Sequence, residues 1–258
     1  MKAFTRKVSS RLAECELTHL PRVPIDAARA ARQHAAYEEE LKKAGFELLH
    51  LPDLPDDPDA VFVEDTAVLL DAHALITRPG AASRIGETES TAAGLQGHFE
   101  LCRMERGYLD GGDVLRIGQR LYVGRSSRTD LAGISELAEI ASSLGFEVVE
   151  AVLRDCLHLK TGATFVGLDA AGTPVLLFNE KCIDPAQFSG VEPLRVDPHE
   201  PDAANCVRAG TRLILPAGNP RTADRLRKRG FAVIEVEVSE LQKAEAGVTC
   251  MSLIDERA

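Results

Sequence analysis

The chain has no tryptophan, and aromatic residues make up only 5% of its 258 positions. Platforms that stack nucleobases on exposed aromatics are therefore not expected. Nor is there a surplus of positive charge: 30 lysines and arginines stand against 40 aspartates and glutamates, a net charge of -10. That balance disfavours a nucleic-acid partner and suits the steering of a cationic small molecule. No run reaches the roughly 18 to 20 apolar residues that span a bilayer, so no membrane association is expected. The start, MKAFTRKVSSRLAECELTHL, has basic residues with no apolar segment behind them, which predicts a cytoplasmic protein without a secretory leader. Six cysteines, at 15, 102, 156, 182, 206 and 250, include no C-x-x-C pair and no regular framework. In a chain this long they read as reduced thiols, and zinc is not expected. Neither the dinucleotide nor the P-loop glycine fingerprint follows any apolar run.

What the sequence does contain is a repeat. A helix-like run ends in glycine and passes into a short β-like run in ELKKAGFELLHL (Gly45), AGLQGHFELCRM (Gly97), IASSLGFEVVEA (Gly145) and RLRKRGFAVIEVEV (Gly230). Each glycine is placed as the left-handed residue that closes a helix, and FSGVEPLRVD around Gly190 reads as a degraded fifth copy. Between these copies lie hairpin-like segments: DTAVLLDAHALITRP, GGDVLRIGQRLYVGR, TGATFVGLDAAGTPVLLFN and NCVRAGTRLILPAG, with a final half copy TCMSLID. Aligning Asp65, Asp113, Thr161, Cys206 and Cys250 gives spacings of 44 to 48 residues, each unit holding two strands, a helix and another strand. Five units of one size predict a closed ring, a five-bladed α/β propeller of ββαβ units spanning residues 1–258 as a single domain. A doubly wound α/β sheet is the competing architecture.

Equivalent positions of successive blades face the same end of a propeller, so the entrances of the hairpins are expected to converge. Those entrances read PDAVFVEDTAV (Asp59, Glu64, Asp65), YLDGGDVL (Asp110, Asp113), CLHLKTGAT (His158, Lys160) and GVTCMS (Cys250). Singly, each residue has an ordinary explanation. His158 between two leucines reads as a hydrogen-bonded histidine, Cys250 as a small buried hydrophobe, and Asp110 before two glycines as turn chemistry. Jointly, a cysteine, a histidine and several acids from four units compose a thiolate nucleophile, an acid/base and anionic clamps.

The blocks FVEDTAV, ITRPGAASR, LDGGDVL, VGRSSRT, LHLKTGAT and the terminal TC resemble, in order and from about Leu17 to Cys250, those of the dimethylarginine dimethylaminohydrolases, members of the guanidine-modifying pentein superfamily. The resemblance implies a five-bladed α/β propeller, which the repeat predicts on its own. It also implies hydrolysis of Nω-methylated L-arginine, mono- or asymmetrically dimethylated, to L-citrulline and methylamine or dimethylamine through a covalent cysteine thiouronium. By the same resemblance Cys250 would be the nucleophile, His158 the general acid/base and Asp110 its acidic partner, where some family members carry Glu. Glu64 and Asp65 would hold the guanidinium. Asp59 and the backbone carbonyls near Leu17 and Ala244 would receive the α-ammonium, and Arg84 and Arg128 the α-carboxylate. No metal and no organic cofactor would be needed, the partner would be a small cationic amino acid, and a homodimer is left open. The ending AEAGVTC departs from the more usual DGLLTC-like sequence.

Two other functions fit parts of this pattern. An arginine deiminase-like hydrolase of free arginine would use the same residue types, although the larger deiminases carry an inserted helical domain for which this chain has no room. A non-catalytic propeller acting as a binding module would share the fold and would not need the cysteine, histidine and acid together.

Overall fold

The computed structural model describes residues 1–257. Strand β1 (Lys2–Thr5) is followed by helix α1 (Ala27–Lys43) and by β2 (Glu47–His50), which lies parallel to β1. β3 (Ala67–Leu70) and β4 (His73–Ile76) form a hairpin, α2 (Glu87–Leu95) crosses over, and β5 (Glu100–Arg103) pairs parallel with β4. The order recurs in β6 (Val114–Ile117), β7 (Arg120–Gly124), α3 (Leu131–Ser143) and β8 (Glu147–Ala151). A short helix α4 (Leu159–Gly162) leads into β9 (Ala163–Leu168) and β10 (Pro174–Phe178), to which β11 (Glu192–Arg195) adds in parallel. The last full unit is β12 (Val207–Ala209), β13 (Arg212–Pro216), α5 (Pro220–Lys228) and β14 (Ala232–Val236). Then β15 (Leu253–Asp255) returns to pair antiparallel with β1, Lys2 opposite Asp255 and Phe4 opposite Leu253. The result is five three-stranded sheets, one of them built from both ends of the chain.

The helix-closing glycines behave as their sequence context predicts: Gly45, Gly97, Gly145 and Gly230 have φ of +94°, +84°, +84° and +90°. A side chain in that region would be strained, so glycine permits the sharp reversal from helix to strand. The degraded copy differs for a visible reason. Between β10 and β11 the crossover is a 3-10 turn, Pro185–Gln187, capped by Asp184, and no α-helix forms there.

The middle strand of every sheet is buried on both faces, and the alternation of its side chains shows why the sheets stand in a ring. Ala74 and Ile76 of β4 join the cluster of Phe4, Leu51, Leu95 and Leu253, while Leu75 between them joins Leu121, Leu137 and Phe146 of the next blade. In β7, Leu121 and Val123 face back to that second cluster and Tyr122 faces forward to Leu176 and Phe178. Val175 and Leu177 of β10, with Leu213 and Leu215 of β13, fill the next interface, and Ile214 turns to Ala3, Phe46 and Val236 of the closing one. Five apolar clusters thus lie between five adjacent pairs of blades. Each fully buried Leu or Phe contributes roughly 1.5–3 kcal/mol of transfer free energy, and its truncation to Ala costs about 2–5 kcal/mol. Among the described residues no helix is long and apolar enough to cross a membrane.

The first strand of each hairpin faces the axis. Residues of β3, β6, β9, β12 and β15 line a central cavity of about 570 Å³. Just before each of these strands sits a short turn: Val63–Thr66, Gly111–Asp113, α4, Pro201–Ala204 and Thr249–Met251. Glu64, Asp65 and Cys250 ride on these turns, and Asp110 and His158 immediately precede them.

Candidate active site

The turns place their side chains by one or two positions. Asp110 and His158 are the residues immediately before the turns Gly111–Asp113 and α4, both with extended backbone, so their side chains project where the chain enters the blade. Nε2 of His158 lies 3.0 Å from Oδ2 of Asp110, and Nδ1 lies 3.9 Å from Oδ1 of Asp65. Asp65 also accepts from the backbone N–H of Gly112 at 3.1 Å. Glycine is required at 112: a Cβ there would lie 2.7 Å from Oδ1 of Asp65 and 2.8 Å from Nδ1 of His158. Ligating atoms of Asp65, Asp110 and His158 lie within 4.8 Å of one another. The imidazole is hydrogen-bonded to Asp110 on one side and stands within ion-pair distance of Asp65 on the other.

Charge in this cluster is set by burial working against close neighbours. Burial opposes the imidazolium of His158, but Asp65, Asp113 and Asp110 outweigh it and lift the group to about 9. Burial likewise opposes the Asp65 carboxylate, and the charges of His158 and Arg84 overcome it and hold the acid below its ordinary value. Asp113, deeper and bonded to Ser126, Thr129 and the N–H of Leu159, is pushed up by burial to about 6. At neutral pH His158 therefore carries a proton.

Cys250 belongs to the turn Thr249–Met251, and its Sγ accepts from the backbone N–H of Gly247 at 3.3 Å. Burial, followed by the nearby charges of Glu64 and Asp65, raises its thiol to about 12. The residue keeps partial exposure. It lines a second, small cavity of about 30 Å³ together with Asp59, Phe62, Asp65, Arg84, Arg128, His158, Ala244 and Glu245. The cysteine, the histidine and Asp65 thus line one cavity, with Asp110 hydrogen-bonded to the histidine.

Three expected substrate contacts change meaning. Glu64 does not line the small cavity. Its Oε1 pairs with Nζ of Lys160 at 2.7 Å, its Oε2 accepts from the Thr249 hydroxyl at 2.6 Å, and it faces the central cavity. The two adjacent acids therefore differ in their partners: Asp65 lines the small cavity, while Glu64 lines the central one and still acts on the Cys250 thiol through its charge. Arg84 does line the cavity, but Nη1 is 2.5 Å from Asp65, Nε and Nη2 hold Glu87 at 3.1 and 2.9 Å, and Nη2 donates to the Phe62 carbonyl at 2.8 Å. Burial opposes that charge, yet Glu87 and Asp65 keep the guanidinium well above its ordinary value. Arg84 is thus first a clamp on Asp65, with one Nη1 hydrogen uncommitted. Leu17 is not among the residues lining the cavity and packs against the core between the last and first blades.

At the other end, Arg128 donates from Nη2 to the Thr18 hydroxyl at 3.1 Å and pairs with no carboxylate among the described residues. Asp59 accepts from the N–H of Glu16 at 3.1 Å, and burial raises it to about 6. Glu245, at a left-handed φ of +58°, takes the backbone N–H groups of Thr18, His19 and Leu20 on its carboxylate, which ties the segment beyond Leu17 to the loop carrying Ala244. Glu87, Glu245, Thr249 and Asn205 also shape the site and are not among the residues the sequence singles out. A glutamate three residues after Arg84 was the available signal for the first, since i and i+3 share a helix face.

A ring of five three-stranded blades of this kind is the pentein fold, here with a cysteine, a histidine and several acids gathered at the hairpin entrances. No family model matches the chain. It is 38% identical over 255 residues to N(G),N(G)-dimethylarginine dimethylaminohydrolase of Streptomyces coelicolor, covering 98% of this chain and 96% of that protein. The enzyme of the same name from Pseudomonas aeruginosa is 37% identical over 237 residues, 88% of this chain and 89% of its own. A solved structure of the Pseudomonas aeruginosa enzyme, a cysteine-to-serine mutant complexed with citrulline, superposes with a TM-score of 0.91 over 98% of both chains at 34% identity. The chain belongs to the dimethylarginine dimethylaminohydrolase family.

Proposed function

We propose that the protein hydrolyses free Nω-methylated L-arginine to L-citrulline and methylamine or dimethylamine, with Cys250 as nucleophile, His158 as acid/base and Asp110 as its orienting partner. The observation that carries this reading is the convergence of a thiol, a protonated imidazole and Asp65 on one small cavity that Arg128 and Asp59 also line.

A guanidinium carbon resists water because its charge is delocalised. Asp65, held by Arg84 and Gly112, would localise that charge by a charge-assisted bond. The resting thiol is neutral at pH 7, since its ionisation is pushed up to about 12. Entry of the substrate cation offsets the repulsion from Glu64 and Asp65, so thiolate formation depends on the substrate. The thiol proton leaves to solvent, Sγ bonds to the guanidinium carbon, and His158 gives its proton to the nitrogen of the departing amine as the C–N bond breaks. The neutral imidazole then takes a proton from water, whose oxygen bonds to the thiouronium carbon. As the adduct collapses, the C–S bond breaks and the hydroxyl proton passes to the departing sulfur, releasing citrulline and the neutral thiol.

At the amino-acid end Arg128 would take the α-carboxylate, assisted by the one uncommitted hydrogen of Arg84, while Asp59 and the Ala244 carbonyl receive the α-ammonium. Both charged ends are thereby read, which favours free amino acids over arginine within a peptide. The continuous ring of inter-blade clusters supports a single catalytic unit, and six unpaired cysteines suit the cytoplasm. Citrulline release from monomethylarginine, asymmetric dimethylarginine, plain arginine and a capped methylarginine peptide tests the reading. Turnover of the first two is expected. Arginine as the sole substrate would instead indicate a deiminase, and equal turnover of the capped peptide would exclude recognition of the amino-acid end.

A further inference from the structure

Outside the residues that line the small cavity, two buried polar side chains, Glu64 and Asn205, join both catalytic segments, and Asn205 alone of the two does so through their backbone. Asn205, 5% exposed, donates from Nδ2 to the backbone carbonyl of Lys160 at 3.1 Å and to the Thr249 hydroxyl at 2.9 Å. Its Oδ1 accepts from the backbone N–H of Thr249 at 3.0 Å. Because one partner is a carbonyl and another an N–H, only one orientation of the amide satisfies them. Lys160 is two residues from His158, and Thr249 is next to Cys250.

The contacts close on themselves. Thr249 donates to Glu64 at 2.6 Å, Glu64 pairs with Nζ of Lys160 at 2.7 Å, and Lys160 returns through its backbone to Asn205. In the alignment of the five units, Glu64, Lys160, Asn205 and Thr249 occupy the same position, one residue before Asp65, Thr161, Cys206 and Cys250. The fifth equivalent is Gly112, which abuts Asp65 and His158. A ring of equivalent side chains from four units therefore sets the relative height of the turns that carry the acid/base and the nucleophile.

Asn205 also supports the sulfur directly behind its loop. A Cβ on Gly247 would lie 2.2 Å from Cγ of Asn205, so the glycine backbone rests on the amide. The N–H of that same glycine is the one held by Sγ of Cys250. Neither Thr249 nor Gly247 can shift without breaking its fit to Asn205.

We propose that Asn205 is a positioning residue for the reaction: it fixes the Cys250 turn against the His158 segment and acts through Thr249 and Gly247 without touching substrate. The proposal rests on the assignment of Cys250 and His158 given above. Misplacement of a reacting group by about 1 Å costs on the order of 100-fold in rate. Removing the clamp is thus expected to reduce turnover and to leave binding of the distant amino-acid end largely intact.

The test uses the full chain with N205A, the near-isosteric N205D, T249V and the double variant N205A/T249V. Steady-state citrulline release from Nω-monomethyl-L-arginine gives kcat and KM, and mass spectrometry of the Cys250 peptide after iodoacetamide gives a labelling rate. In N205A and N205D, kcat is expected to fall roughly 10- to 100-fold with KM within about threefold, and Cys250 to be labelled faster than in the wild type. The double variant should be no slower than the poorer single one, because both act through the same turn. Wild-type kcat in folded N205A, a loss confined to KM, or multiplicative losses in the double variant would overturn the proposal. Unfolding of both N205A and N205D would also overturn it, by making Asn205 a residue of fold stability. If the wild type releases no citrulline, the substrate assignment fails, and the labelling rates still decide the role of Asn205.

Discussion

Nε2 of His158 faces Oδ2 of Asp110 at 3.0 Å, and the other oxygen of that carboxylate accepts from the N–H of Gly80 at 2.9 Å. The acid is thus held from two sides and cannot turn away from the imidazole. Since Asp110 is one of three carboxylates that keep His158 protonated, D110N should lower the pH at which His158 loses its proton. In the proposed reaction His158 expels the amine in its protonated form, so the alkaline limb of the kcat profile should move to lower pH in this variant. An alkaline limb identical to the wild type would dissociate the pair.

The same protonation couples to stability. His158 ionises at about 9 in the folded protein against about 6.5 when unfolded. Between these values the native state holds more protons, so stability is full below pH 6.5 and falls as pH rises through about 9. The contribution is on the order of 3 kcal/mol. Urea unfolding of the wild type and H158Q at pH 6.5 and 9 should show a clearly larger decline in the wild type. A parallel decline in the variant would place the titration elsewhere.

Cys250 should behave as a high-pKa thiol at rest and as a nucleophile with substrate present. C250S is expected to retain its unfolding midpoint within about 1 kcal/mol of stability while releasing no citrulline, because the hydroxyl is not ionised by this surrounding. Alkylation of wild-type Cys250 should accelerate steadily from pH 7 to 9 without a plateau, as its ionisation is pushed up to about 12. A plateau near pH 7 would indicate a preformed thiolate.

The two cavity arginines should respond in opposite ways. R128A should raise KM for methylarginine by about 10- to 100-fold, the loss of one charge-assisted contact worth roughly 1.5–3 kcal/mol, with unchanged stability. Arg84 and Glu87 are both buried, and removing one partner of a buried pair leaves an uncompensated charge. E87A is expected to destabilise the fold by about 3–5 kcal/mol, read by urea unfolding. A stable E87A with a raised KM would make Arg84 a substrate group and not a clamp.

The repeat was legible because its signals are local. Gly45, Gly97, Gly145 and Gly230 terminate helices through their own backbone freedom, and the middle strands are continuous apolar runs because adjacent residues enter different inter-blade clusters. Those periodicities are written in neighbouring residues, so they predict the five units and the convergence of their entrances. What sequence alone could not decide is direction within a turn. Glu64 and Asp65 are adjacent and chemically alike, yet one closes the central cavity against Lys160 and the other faces the small cavity. Likewise Arg84 is a receptor or a clamp according to whether Glu87 reaches it, and Asn205 matters only because Lys160 and Thr249, 45 and 44 residues away, meet at its amide. Backbone pattern is a property of segments and survives in the sequence. The pairing of a buried charge or amide is a property of a place, and that place exists only after the last strand returns to the first and closes the ring.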